Sequence, residues 1–203
     1  MIKWLVTITI ALSFGLNLAQ AAGNPEEGKK QSAICAGCHG PDGNSPINPL
    51  WPKIAGQHPR YIEKQIKDFK SGNRTDQTMA PMAMPLNDQQ IADLAAYYSS
   101  QPRQSGEAAA DMVAAGEALY RGGNPETGVV ACMACHGPAG SGNPQANFPA
   151  VAGQHAAYTE KALKDFRDGI RTNDNAKMMQ GVVTRMTNDE MAAVAQYIQG
   201  LSR

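Results

Sequence analysis

Four cysteines occur in the chain, and all four fall in two short motifs, "CAGCH" at 35–39 and "CMACH" at 132–136. Two thiols three residues apart, followed at once by histidine, form the pattern of c-type haem attachment. The spacing suits the chemistry. Thiols one turn apart can each add to a vinyl group of the same porphyrin, and the adjoining imidazole then lies beneath the iron. Cys35 and Cys38 would hold one haem with His39 as proximal ligand; Cys132 and Cys135 would hold a second with His136. Three alternatives compete. A thioredoxin-like redox pair belongs in a β-α-β setting, which the pattern lacks. A zinc site would draw together two pairs that lie 97 residues apart. A disulfide within C-x-x-C is disfavoured by the close spacing.

The group on the far side of each iron decides the chemistry, because Met/His ligation marks an electron carrier and an open site permits ligand or peroxide chemistry. The remaining histidines, His58 and His155, each follow a proximal histidine by 19 residues, in the repeated "AGQH". The methionines are the other set. "TMAPMAMPL" at 78–86 carries Met79, Met82 and Met84 in a stretch with two prolines and no helical period; the second half offers Met178 and Met179. An internal repeat separates them. "IAGQHPRYIEKQIKDFKSGNRT" at 54–75 matches 151–172 at an offset of 97, and "LNDQQIADLAAYYSS" at 86–100 matches 186–200 at an offset of 100. With the length change placed before residue 78, Met79 pairs with Met179, whereas Met82 and Met84 face Val182 and Thr184. Met79 and Met179 are therefore the expected distal ligands. Met82 and Met84 then line the loop that delivers the first, and Met178, Met82 and Met84 stay as substitutes. A copper site from M-x-x-M-x-M is the other reading of this stretch, since thioethers suit Cu(I).

The elements that must position these groups are helical. Tyr61, Ile62, Ile66 and Phe69 recur at helical spacing, as do Tyr158, Leu163 and Phe166. A last helix in each half opens on a capping box, Asn87 with Gln90 and Thr187 with Glu190. Short helices are expected before each haem motif, near 26–34 and 114–121. Gly28 and Gly116 would let them cross the last helices closely, near Tyr97 and Tyr197, or equally are glycines that a helix merely tolerates. No stretch alternates as a strand. The fold class is all-α, with two small units each wrapped round a haem. The stretch at 99–110, "SSQPRQSGEAAA", reads as the linker, and "RGGNPETG" at 121–128 as an insert peculiar to the second half.

Residues 1–21 read as a cleaved signal peptide: Lys3, an apolar run from Trp4 to Leu18, and Ala19-Gln20-Ala21 as the processing site. A retained membrane anchor is the alternative. The domains are then 22–103 and 104–203, in an exported protein. Lys and Arg total 18 and Asp and Glu total 18. No basic tract interleaves with aromatics, so nucleic acid is excluded as a partner, and net charge supplies no strong steering.

The paired C-x-x-C-H motifs, the doubled "AGQH…Y…K…DF", the late methionines and the leader resemble the cytochrome c4 family, dihaem class I cytochromes c of the bacterial periplasm. The resemblance covers essentially all of the chain after the leader. It implies two tandem class I cytochrome c domains packed about a pseudo-two-fold axis, with haem propionates facing across the interface. It also implies two covalently bound haem c groups, Met79 and Met179 at the axial positions, and no enzymatic activity. The implied role is shuttling electrons from a quinol-oxidising complex to a terminal oxidase, with possible loose association with the inner membrane. Gln57, Gln154, Tyr61 and Tyr158 are candidates for hydrogen bonds near the propionates, or equally a turn residue and a core tyrosine; Trp51 and Phe148 correspond and are expected at a haem face or edge. Two other functions share the two-haem plan. One is the electron-accepting subunit of a periplasmic dehydrogenase, such as a flavin-dependent sulfide dehydrogenase. The other is a dihaem peroxidase, which needs an open axial site and longer loops.

Overall fold

A computed structural model describes residues 22–202; the expected signal peptide lies outside them. The first half comprises α1 (Pro25–Gln31), α2 (Ala33–His39), α3 (Pro59–Ser71), α4 (Met79–Ala83) and α5 (Asp88–Ser100). The second comprises α6 (Ala110–Gly122), α7 (Met133–His136), α8 (Ala156–Arg167), a 3-10 turn (Asn175–Lys177), α9 (Met178–Val183) and α10 (Asn188–Gly200). Among the described residues the only β pairings are isolated bridges, Asn124 with Val129 and Asn143 with Phe148.

Each half has the same plan. The first helix and the long middle helix both pack on the last helix, α1 and α3 on α5, and α6 and α8 on α10. Local chemistry sets the boundaries. The Asn24 side chain accepts from the Glu26 and Glu27 N–H groups, and Pro25 sits at the first helical position, where no N–H is needed. Both capping boxes form as the sequence predicts. At the crossing points glycine is obligatory: a Cβ on Gly28 would stand 2.0 Å from the Asp93 carbonyl oxygen, and one on Gly116 would stand 2.2 Å from that of Ala193. Tyr97 and Tyr197 are the next neighbours, as expected.

Two expectations change. The helix expected over 26–34 breaks at Ser32, whose hydroxyl donates to the Lys29 carbonyl; the C-x-x-C-H residues then form a helix of their own. The linker, which runs from 101 to 109, is no loose tether. Asn44 donates to the Pro102 carbonyl and accepts from the Gln104 N–H, and Lys53 Nζ donates to the Gln104 carbonyl. Arg103 donates to Ala55 in one half and Ala150 in the other.

The halves meet through reciprocal bonds. Gln57 donates to the Ala150 carbonyl (2.8 Å) and accepts from the Ala150 N–H (2.9 Å). Gln154 does the same with Lys53 (2.9 and 2.8 Å). These are equivalent positions at the 97-residue offset, so the interface is two-fold in kind, each half offering the same patch to the other.

Candidate metal centres

Cys35, Cys38 and His39 lie on α2. Cys132 caps α7, which carries Cys135 and His136. A spacing of three sets each thiol pair on one helical face. Neither pair is joined as a disulfide, and burial pushes the Cys35 thiol up and the Cys132 thiol up to about 11. A reactive redox pair requires the opposite, a depressed thiol. Both histidines are buried. His39 Nδ1 lies 2.8 Å from the Pro52 carbonyl, and His136 Nδ1 lies 2.9 Å from that of Pro149. A carbonyl only accepts, so Nδ1 carries the proton and Nε2 keeps its lone pair. Burial also lowers both imidazoles below their usual 6.5, against the pull of the carbonyls, which favours the neutral, metal-ligating form. Each site thus pairs two thiols one turn apart with a buried, oriented imidazole, a donor set that fits covalent haem. Sequence reasoning missed Pro52 and Pro149. Their signal was present, since both precede the matched "AGQ" blocks at the same offset.

The methionine segments are helices rather than the expected loops. In α4, Pro81 occupies a first-turn position whose N–H has no intrahelical acceptor, so it is tolerated. The second half places its three extra residues in the 3-10 turn, where Ala176 and Lys177 take left-handed φ of 51° and 56°. Past that turn the halves run in register at an offset of 100. The Met84 N–H bonds to Ala80 and the Thr184 N–H to Gln180, while Ala83 and Val183 are both buried. Met79 and Met179 therefore hold equivalent, half-buried places. Met82 and Met84 are 40% and 59% exposed and Met178 is 41% exposed, so Met82 and Met84 do not line the segment as expected.

The other histidines have their own place. His58 and His155 stand at the N-termini of α3 and α8. His155 Nε2 lies 2.9 Å from the Ser45 carbonyl across the interface. Tyr61 and Tyr158 are bridged across it too. Arg171 donates to the Tyr61 hydroxyl (2.8 Å) and Arg74 to that of Tyr158 (3.1 Å). Each guanidinium also stacks on a phenylalanine of its own half, Phe166 or Phe69. Both arginines sit inside the repeated block, as the last match before its closing threonine, a signal that carried no role until their partners were visible.

The same architecture recurs in known proteins. The cytochrome c family profile matches twice, over residues 25–101 and 113–202. Cytochrome c4 of Thiocapsa roseopersicina is 52% identical over 91% of this chain and 96% of its own length. The chain belongs to the cytochrome c4 family. The crystal structure of reduced cytochrome c4 from Pseudomonas stutzeri superposes with a TM-score of 0.86 at 46% identity, over 89% of this chain and all of that one. A thiosulfate dehydrogenase electron acceptor from Thiomonas intermedia is 37% identical over 93% of this chain and 85% of its own length. As a cytochrome c4 the chain is a dihaem electron-transfer protein, with two cytochrome c domains and two covalently bound haem c groups. Among the described residues no helix is long and apolar enough to cross a membrane.

Proposed function

We propose that this cytochrome c4 carries electrons in the periplasm from a quinol-oxidising complex to a terminal oxidase, after removal of residues 1–21, with the domain boundary at 103/104. The observation that carries the reading is the matched geometry of the two sites. Cys35 and Cys38 form the thioethers of the first haem, and Cys132 and Cys135 those of the second. His39 and His136, each with Nδ1 on a proline carbonyl, would ligate the irons, and Met79 and Met179, at matched places in α4 and α9, would supply the second ligands. Bound haem supplies one-electron Fe(III)/Fe(II) chemistry. The protein's part would be to offer each iron a thioether as well as an imidazole, leaving no place for a substrate, and it holds the imidazoles in one tautomer through Pro52 and Pro149. A spectroelectrochemical titration of the holoprotein tests this. Two six-coordinate haems and a far-red Met–Fe(III) charge-transfer band are expected, and Met79→Ala and Met179→Ala each remove about half of that band. A wild-type protein without the band overturns the ligation.

The relative from Thiomonas intermedia supports a second reading, electron acceptance from a periplasmic sulfur-compound dehydrogenase. Reduction rates with a quinol-oxidising complex and with a thiosulfate dehydrogenase, measured side by side, separate the two.

A further inference from the structure

The halves differ most between the first helix and the haem motif. Ser32 alone separates α1 from α2, whereas residues 123–132 separate α6 from α7. Within that segment Asn124 and Val129 exchange two backbone hydrogen bonds (2.8 and 3.0 Å), closing a small loop. Asn124 Oδ1 accepts from the Glu126 and Thr127 N–H groups inside it. This leaves Asn124 Nδ2 to reach outward, where it donates to Glu190 Oε1 at 2.7 Å. Glu190 is the capping-box residue of α10, and its other oxygen accepts from the Thr187 N–H at 2.8 Å. The Arg185 guanidinium lies on the loop as well. A Cβ on Gly128 would stand 2.3 Å from its NH1, which lies 3.4 Å from the Thr127 carbonyl. Val129, 3% exposed, belongs to the apolar cluster that holds Val183 and Met186, and Met179 packs against that cluster. Both polar contacts land on residues just past the second methionine segment, Arg185 and Glu190, and the loop's Val129 shares its apolar cluster with Val183 and Met186. In the first half the equivalent cap is closed by Asn87 and Gln90, and among the described residues Met79 is not one of those packed on its cluster.

We infer that residues 123–129 are a positioning brace for the second methionine segment, holding Met179 on its haem more firmly than Met79 is held on the first. The inference rests on the methionine ligation proposed above. A thioether bond to iron(III) is open to competition by an added nitrogen ligand, and displacement requires the methionine segment to move away. Tying down the far end of that segment raises the cost of the movement in one half only.

The test is an imidazole titration of the oxidised holoprotein. It is followed by the far-red charge-transfer band and by the hyperfine-shifted methionine methyl signals, assigned to each haem with Met79→Ala and Met179→Ala. In the wild type, imidazole displaces the first methionine at lower concentration than the second. Asn124→Ala lowers the midpoint of the second haem by roughly five-fold, the worth of one net hydrogen bond, and leaves the first unchanged. Arg185→Ala, which cuts the brace from the other side, shifts the same haem in the same direction. Equal midpoints in the wild type overturn the inference, as does a shift shared by both haems, which would mark general destabilisation. Methionine signals missing before any imidazole is added overturn the ligation reading instead.

Discussion

At the scale of single residues, two kinds of histidine are told apart by their partners. His39 and His136 are buried with Nδ1 on a proline carbonyl, leaving Nε2 for iron. His155 spends Nε2 on the Ser45 carbonyl of the other half. Its imidazole is held below its usual 6.5, first by burial and further by Lys53, against the pull of the Ser45 carbonyl. The folded protein thus disfavours the charged form, and the unfolded chain takes up a proton first as pH falls. The stability that goes with burying a neutral His155 is fully present above about pH 6.5 and is lost as pH drops below it towards the folded value. Chemical denaturation of the holoprotein between pH 5 and 7.5 should show stability falling on the acid side. His155→Gln should flatten part of that slope; an unchanged slope would remove His155 from the interface account. The sequence could raise His155 as a rival ligand, because type and spacing are local properties. It could not exclude it, because Ser45 lies 110 residues away.

At the scale of elements, legibility followed the range of the interactions involved. Capping boxes span four residues, and both were readable. The repeat displays the crossing glycines twice and so raised them as candidates, but only the approach of the Asp93 and Ala193 carbonyls separates a required glycine from a tolerated one. The α4 helix was not readable, since five residues with a proline among them carry no period; its placement depends on packing against α3, a contact with no sequence signature. The linker looked flexible by composition, yet its backbone is taken up by Asn44 and Lys53. The crossing glycines give a direct test. Gly28→Ala or Gly116→Ala drives a methyl group into a backbone carbonyl, which cannot swing aside as a side chain would. Each should cost at least about 1–3 kcal/mol in denaturant unfolding. Gly181→Ala is the internal contrast. It lies in α9, is exposed, and a Cβ there would meet nothing within 4 Å, so alanine should stabilise by roughly 0.5–1 kcal/mol through helix propensity. Equal effects at the three positions would mean that close helix approach is not what these glycines provide.

At the scale of the whole molecule, the question is whether two cytochrome domains on one chain behave as two bodies or one. Interfaces between domains of one chain commonly permit relative motion. Here the polar groups at the interface are met in reciprocal pairs. Gln57 satisfies both backbone groups of Ala150, Gln154 those of Lys53, and each arginine reaches the tyrosine of the opposite half. Removing Gln57 leaves the buried Ala150 N–H without its acceptor, while the Ala150 carbonyl keeps only Arg103, at a cost of about 1–3 kcal/mol. Because the clasp is two-fold, one glutamine remains when the other is lost, and the halves stay docked. Removing both takes away the reciprocal bonds, while the arginine–tyrosine contacts at the interface remain. Calorimetry of the holoprotein should therefore show a single cooperative transition for the wild type, a lower but still single one for Gln57→Ala, and two resolved transitions for Gln57→Ala/Gln154→Ala. A double variant that still unfolds in one unshifted transition would place the coupling in the arginine–tyrosine pairs and the strapped linker instead. Electron transfer gives the same clasp a second consequence. A fixed interface fixes the separation of the two haem sites, so the double variant should slow electron exchange between the haems even where both midpoint potentials are retained.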